Sequence, residues 1–140
     1  MNIAIVGATG NVGRKTLEVF NKKNFKFDNL YLVASEKSAG KKISFKDKEY
    51  VIENLETYDF SKADITFFAA GGKIAEKYAE KAAKQTIVID NSSFFRMDPD
   101  VPLIVPQVNA AEIKNMKKNI IANPNCSTAQ LVIALKPLHN

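Results

Sequence analysis

The sequence predicts an α/β fold, with an open, mostly parallel sheet, helices on both faces and a small β-hairpin inserted along the way. Three observations carry that expectation. Short apolar runs of strand length alternate with segments of helical period over all 140 residues. The first strand meets the first helix through a glycine turn. No repeat, low-complexity stretch or linker interrupts the alternation, so residues 1–140 read as one domain.

Asn2–Val6 is a short apolar strand. It runs into Gly7-Ala8-Thr9-Gly10-Asn11-Val12-Gly13, after which Arg14–Phe20 reads as a helix. Strand, glycine turn and helix are the context of a dinucleotide fingerprint, so the sheet is expected to be Rossmann-like and doubly wound. Gly7 permits the tight turn, Gly10 lets the backbone approach a pyrophosphate, and Gly13 lets the helix close onto the strand. The phosphates would rest on the helix N-terminus.

Leu30–Ala34 is the second strand, followed by Ser35-Glu36-Lys37-Ser38-Ala39-Gly40. An NAD enzyme often places an acid here for the ribose hydroxyls. Ser35, Lys37 and Ser38 could instead hold a 2′-phosphate, which argues for NADP, with Glu36 turned to solvent. The plainer alternative is a polar loop. Lys41–Glu53 alternates around Lys46-Asp47-Lys48, with Ile43, Phe45, Tyr50 and Ile52 as the apolar positions of a hairpin.

Ile65–Ala70 reads as a continuous buried strand ending in Gly71-Gly72, so that Gly71 lies at the cofactor edge of the sheet. Lys73–Lys84 is a helix with Ile74, Tyr78 and Ala82 on one face, and Thr86–Ile89 is the next strand. The polar loop Asp90–Leu103 carries Arg96, whose rigid charged fork suits a phosphate or a carboxylate. A salt bridge to Asp98 or Asp100 is the competing use. Asn109 and Glu112 suggest a helix cap and its box partner. Ile120-Ile121-Ala122 is the last strand, and Ala129–Lys136 reads as a helix.

Cys126, the sole cysteine, therefore sits at a strand-to-helix turn. Unpaired N–H groups and the positive end of the helix dipole favour a thiolate there, a plausible activated nucleophile. The alternative is a small buried hydrophobe. Both turns fall at C-terminal ends of strands and can face one crevice. A thiolate beside a nicotinamide suggests aldehyde chemistry through a thioester.

A single cysteine excludes an internal disulfide and fits a reducing cytoplasm. Met1–Val6 lacks the basic start of a signal peptide, and no apolar run approaches membrane-spanning length. The net charge is +5, carried almost wholly by scattered lysines, which read as solvated surface that attracts small anions rather than nucleic acid. No metal site is expected.

The glycine turn, Ser35–Gly40, Asp90-Asn91-Ser92-Ser93-Phe94-Phe95-Arg96, Val105-Pro106-Gln107-Val108-Asn109 and Asn123-Pro124-Asn125-Cys126-Ser127-Thr128 together resemble aspartate-semialdehyde dehydrogenase of the bacterial type, from residue 2 to about residue 138. The resemblance implies NADPH-dependent conversion of aspartyl phosphate to aspartate semialdehyde with release of phosphate, a step that feeds lysine, diaminopimelate, methionine and threonine synthesis. It implies Cys126 as the acyl-carrying nucleophile, Asn125 as its positioning neighbour, and Thr9, Gly10, Asn11 and Val12 as the pyrophosphate loop. It places Lys37, where many members have arginine, and Ser38 at the 2′-phosphate, and Arg96 at the phosphate. It further implies a homodimer and a second domain that supplies the general base, with this chain as the cofactor-binding portion and a poor catalyst alone. His139 lies about 20 Å from Cys126 along a regular helix, too far to be that base. The face meant for a second domain should be apolar. Kept open beside this are N-acetyl-glutamyl-phosphate reductase, disfavoured by Asn125 and Ser127, and an NADP-binding module without turnover.

Overall fold

The computed structural model describes residues 1–139. Among them, seven strands form one sheet: β1 (Asn2–Val6), β2 (Asn29–Ala34), β3 (Lys42–Phe45), β4 (Lys48–Asn54), β5 (Ile65–Phe68), β6 (Ile87–Asp90) and β7 (Ile120–Ala122). Their order across the sheet is β3-β4-β2-β1-β5-β6-β7. Every pair is parallel except β3 with β4. Four α-helices accompany them: α1 (Asn11–Lys22), α2 (Gly72–Ala82), α3 (Pro106–Asn109) and α4 (Cys126–Leu135).

The centre of the sheet follows from burial on both faces. Ile3, Ala4, Ile5 and Val6 of β1 are fully buried. One apolar cluster joins Ile3, Ile5, Leu30, Leu32 and Ile52 of the sheet to Leu17 and Phe20 of α1. The other joins Ala4, Val6, Phe68, Val88 and Ile120 to Ala75, Tyr78, Ala79 and Ala82 of α2. The two helices therefore cover opposite faces. The strand order reverses at β1, which pairs with β2 on one side and β5 on the other. That reversal opens a crevice at the C-terminal ends of the strands.

The expected hairpin forms, but it is not an appendage. Its second strand, β4, pairs in parallel with β2 through Leu32 and Ile52, because Ile52 completes the core beneath α1. Its turn, Lys46-Asp47, has both residues at positive φ, 47° and 61°, the geometry of a two-residue hairpin turn whose twist matches its strands. Helix α1 begins at Asn11 rather than Arg14, so the end of the glycine turn is already the first turn of the helix.

Three expectations are corrected. The strand expected over Ile65–Ala70 ends at Phe68, and it is not buried on both faces. Thr66 and Phe68 are buried, whereas Ile65 and Phe67 are only half-buried. Phe67, Ile89 and Ile121 stand in register on the side that α1 covers only in part. Helix α2 ends at Ala82, and its buried row is Ala75, Tyr78, Ala79 and Ala82, with Ile74 packed at the edge. Asn109 does not cap a helix with its side chain. Its amide instead accepts from Val105 N at 2.9 Å and donates to Leu103 O at 2.9 Å, closing α3 on itself. Glu112 accepts from Asn115 Nδ2.

Candidate active site

The glycine turn builds the crevice. Gly7 has φ +86°, and a Cβ on it would lie 2.7 Å from Ala69 O. Its N–H donates to Val33 O at 2.8 Å. Only glycine can occupy the point where β1, β2 and the end of β5 converge so closely. Gly13 is buried in α1, where a Cβ would lie 2.3 Å from Gly7 O. Gly10 differs, because a Cβ there would touch only Gly7 O at 3.4 Å. Gly10 is the N-cap of α1 and offers no side chain to it. The N–H groups of Asn11, Val12 and Gly13 therefore head a twelve-residue helix without intrahelical acceptors. The first helical bond is Arg14 N to Gly10 O at 3.0 Å, and Arg14 Nε ties down Thr9 O at 3.1 Å.

Beside this turn lies a cleft of about 380 Å³, lined by Gly7, Thr9, Gly10, Ser35, Leu55 and Ile74. Ser35 follows β2 directly. It is the N-cap of a 3-10 turn, Glu36–Ser38, and its carbonyl accepts from Ser38 N at 2.9 Å and Ala39 N at 3.1 Å. Lys37 and Glu36 are exposed and Ser38 is half-buried. Among the described residues no carboxylate pairs with Lys37. Gly71 caps α2 at φ +87° with open space around it.

Cys126 is exposed, which removes the buried-hydrophobe alternative in this chain. It is the first residue of α4. Asn125 is the N-cap, its Oδ1 accepting from Ser127 N at 2.9 Å and standing 4.0 Å from the Cys126 sulfur. The turn is fixed from the sheet: Asn123 N donates to Asp90 O at 2.8 Å, and Pro124 is buried.

Arg96 reaches the same turn from the next loop. Its Nε donates to Asn123 O at 3.0 Å and its Nη2 to Asn91 O at 3.3 Å. Asn123 Nδ2 donates to Asn91 Oδ1 at 2.7 Å, so the ends of β6 and β7 are laced together. Buried Asp90 shapes the loop, accepting from Ser92 Oγ at 2.6 Å and Ser92 N at 3.1 Å. The competing salt bridge does not form: Asp98 pairs with Lys118 and Asp100 with Lys117. The fork is thus anchored by two carbonyls, one of them, Asn123 O, three residues before Cys126.

The structure brings Arg96, Asn125 and Cys126 to one end of the sheet edge, and Gly7, Thr9, Gly10 and Ser35 to another. Asn91 and Asn123 were missed in the sequence, although each directly follows a strand. Leu55 and Ile74 carried no signal as cleft residues, because an apolar wall looks like core in a sequence.

Residues 2–116 match the model of the semialdehyde dehydrogenase NAD-binding domain. The chain belongs to the semialdehyde dehydrogenase family. It is 54% identical to aspartate-semialdehyde dehydrogenase of Aquifex aeolicus, over 99% of this chain and 42% of that protein. A crystal structure of aspartate semialdehyde dehydrogenase II from Vibrio cholerae, complexed with ASA, superposes with a TM-score of 0.92 at 49% identity, over 99% of this chain and 46% of that one. The Candida albicans aspartate semialdehyde dehydrogenase with NADP gives 0.76 at 29% identity, over 98% of this chain and 46% of that one. The chain thus spans about two fifths of the length of the curated relatives it matches. Among the described residues no helix is long and apolar enough to cross a membrane.

Proposed function

We propose that residues 1–140 form the cofactor- and thiol-bearing part of a cytoplasmic aspartate-semialdehyde dehydrogenase that acts as a homodimer at family length. The observation that carries this reading is the Arg96 fork, bonded to Asn123 O beside an exposed Cys126 at a helix N-terminus. That pairing suits an acyl phosphate, with a nucleophile for its carbonyl carbon and a cation for its phosphate. The glycine turn fits a dinucleotide, since Gly10 leaves space where a Cβ would stand and the leading amides of α1 have no side-chain cap. Lys37 and Ser38, in the turn after β2, are the residues for a 2′-phosphate, and the NADP complex of the Candida relative supports NADP as the cofactor. Strands β1 and β7 are three positions apart, roughly 14 Å at ordinary strand spacing, a gap a dinucleotide can cross.

The Cys126 thiolate attacks the acyl carbon of L-aspartyl 4-phosphate. The carbon–oxygen bond to phosphate breaks, and phosphate departs held by Arg96, leaving a thioester on sulfur. NADPH, when bound, supplies the hydride that this carbon accepts. The resulting thiohemiacetal on Cys126 collapses to L-aspartate 4-semialdehyde and returns the thiolate. Asn125 holds the turn so that sulfur faces the site. The general base and the remaining substrate contacts are assigned to the second domain of the family-length enzyme.

Calorimetric titration with NADP and with NAD tests the cofactor half. Tighter binding of NADP supports it, and no binding of either by folded chain defeats it. Cys126→Ser tests the thiol half: thiol labelling should vanish while cofactor affinity stays within about twofold, and a lost affinity would make the cysteine structural.

A further inference from the structure

Two acids follow Arg96 closely in sequence, Asp98 two residues on and Asp100 four. A guanidinium–carboxylate pair is charged on both sides and can be bidentate, so it is stronger than the same guanidinium bonded to a neutral carbonyl. Arg96 nevertheless takes the carbonyls of Asn123 and Asn91. The acids are held elsewhere. Lys118 Nζ donates to Asp98 Oδ2 at 2.9 Å and to Glu80 Oε1 at 3.2 Å. Lys117 Nζ donates to Asp100 Oδ1 at 2.7 Å. Asp98 Oδ1 also accepts from Asp100 N at 2.9 Å, so the two acids move as one turn.

We propose that Lys117 and Lys118 are positioning residues that sequester Asp98 and Asp100 and so keep the Arg96 guanidinium open to an anion beside Cys126. The inference rests on the reading of Arg96 as the phosphate site. The hydrogen bond from Lys118 holds the Asp98 carboxyl below its ordinary range, and Asp100 raises the Lys117 ammonium above its own. Two of the five guanidinium N–H donors are spent on carbonyls, and the other three make no hydrogen bond among the described residues. Lys118 also ties this loop, through Glu80, to α2. Without Lys118, Asp98 becomes an internal anion two residues from the fork and competes with phosphate for it.

The test is titration of the 140-residue chain with inorganic phosphate, followed by NMR at the Arg96 Nε–H and the amides of Cys126 and Ser127. Wild type, Arg96→Ala, Lys118→Met, Lys118→Arg, Asp98→Asn and the double variant Lys118→Met/Asp98→Asn are compared. Lys118→Met should weaken phosphate by about tenfold, the weight of one charge-assisted hydrogen bond. Lys118→Arg and Asp98→Asn should bind as wild type does. The double variant should recover to within about twofold, which a purely structural lysine would not allow. An unchanged Lys118→Met, or a loss that the double variant fails to restore, overturns the inference. Wild-type phosphate binding by Arg96→Ala overturns the phosphate site itself and this inference with it.

Discussion

Gly13→Ala and Gly10→Ala separate a structural glycine of the turn from the one proposed to face the cofactor. At Gly13 the new Cβ would lie 2.3 Å from Gly7 O and 2.8 Å from Ala8 Cα. Both are backbone atoms, so no side chain can rotate away, and α1 must lift from β1. Such overpacking costs about 3 kcal/mol at the upper end of the usual range. Alanine is the better helix former by about 1 kcal/mol, which offsets part of it. The net loss is about 2 kcal/mol, or about 6–10 °C in Tm for a domain of this size. At Gly10 the Cβ meets Gly7 O at an ordinary 3.4 Å, so only a poorer N-cap is paid for, about 0.5–1 kcal/mol. That methyl, however, stands where a pyrophosphate would approach the amides of α1. Urea unfolding and NADP titration of both variants provide the readout. Gly13→Ala should lose stability and, where folded, keep cofactor affinity to within a few-fold. Gly10→Ala should stay folded and lose cofactor binding. The reverse pattern, or a Gly13→Ala as stable as wild type, refutes the assignment of roles.

Lys37→Ala should weaken NADP by about tenfold, as expected for one lost charge-assisted contact, and NAD by less than about twofold; equal losses in parallel titrations would remove the 2′-phosphate from this loop. Asp98 is held below its ordinary carboxylate range chiefly by the hydrogen bond from Lys118. Its contribution to stability is therefore full above the unfolded value near pH 4 and is lost as pH falls through the lower folded value. The stability gap between wild type and Asp98→Asn should be present at pH 7 and close below about pH 4, and a gap that widens on acidification reverses the sign. The Tyr58 hydroxyl is buried with no partner among the described residues, and burial pushes its pKa up. Tyr58→Phe should stabilise the chain by about 1–2 kcal/mol in urea unfolding, and destabilisation would mean that the hydroxyl is bonded.

Helix α4 explains why a reading based on local pattern stops short of the whole site. Its second half, Leu131–Leu135, is apolar on every side, yet no residue of the helix is buried, and Leu131, Ile133 and Leu135 are all exposed. A helix apolar all round normally lies inside a protein. The sequence pattern therefore marks α4 as a helix without saying what it packs on. Phe67, Ile89 and Asn91 likewise line a groove of about 360 Å³ beside α1, where the apolar run Ile65–Ala70 had suggested a continuous buried strand.

The sequence by itself determined the alternation of strands and helices, the glycine turn after β1, and Cys126 at the head of a helix. Each is a local matter of side-chain period, φ freedom or chain position, so short stretches suffice to specify it. Only the tertiary structure decided the partners of Arg96. Asp98 was the nearer partner along the chain, but strand order brings Asn123 within 3.0 Å across 27 residues, and it brings Lys118 to Asp98 across 20. It also decided that β4 joins the main sheet, and that Asn91 and Asn123 lace its edge. Such contacts depend on which strands are neighbours, and neighbours in the sheet are chosen by the burial of the whole core rather than by any one segment.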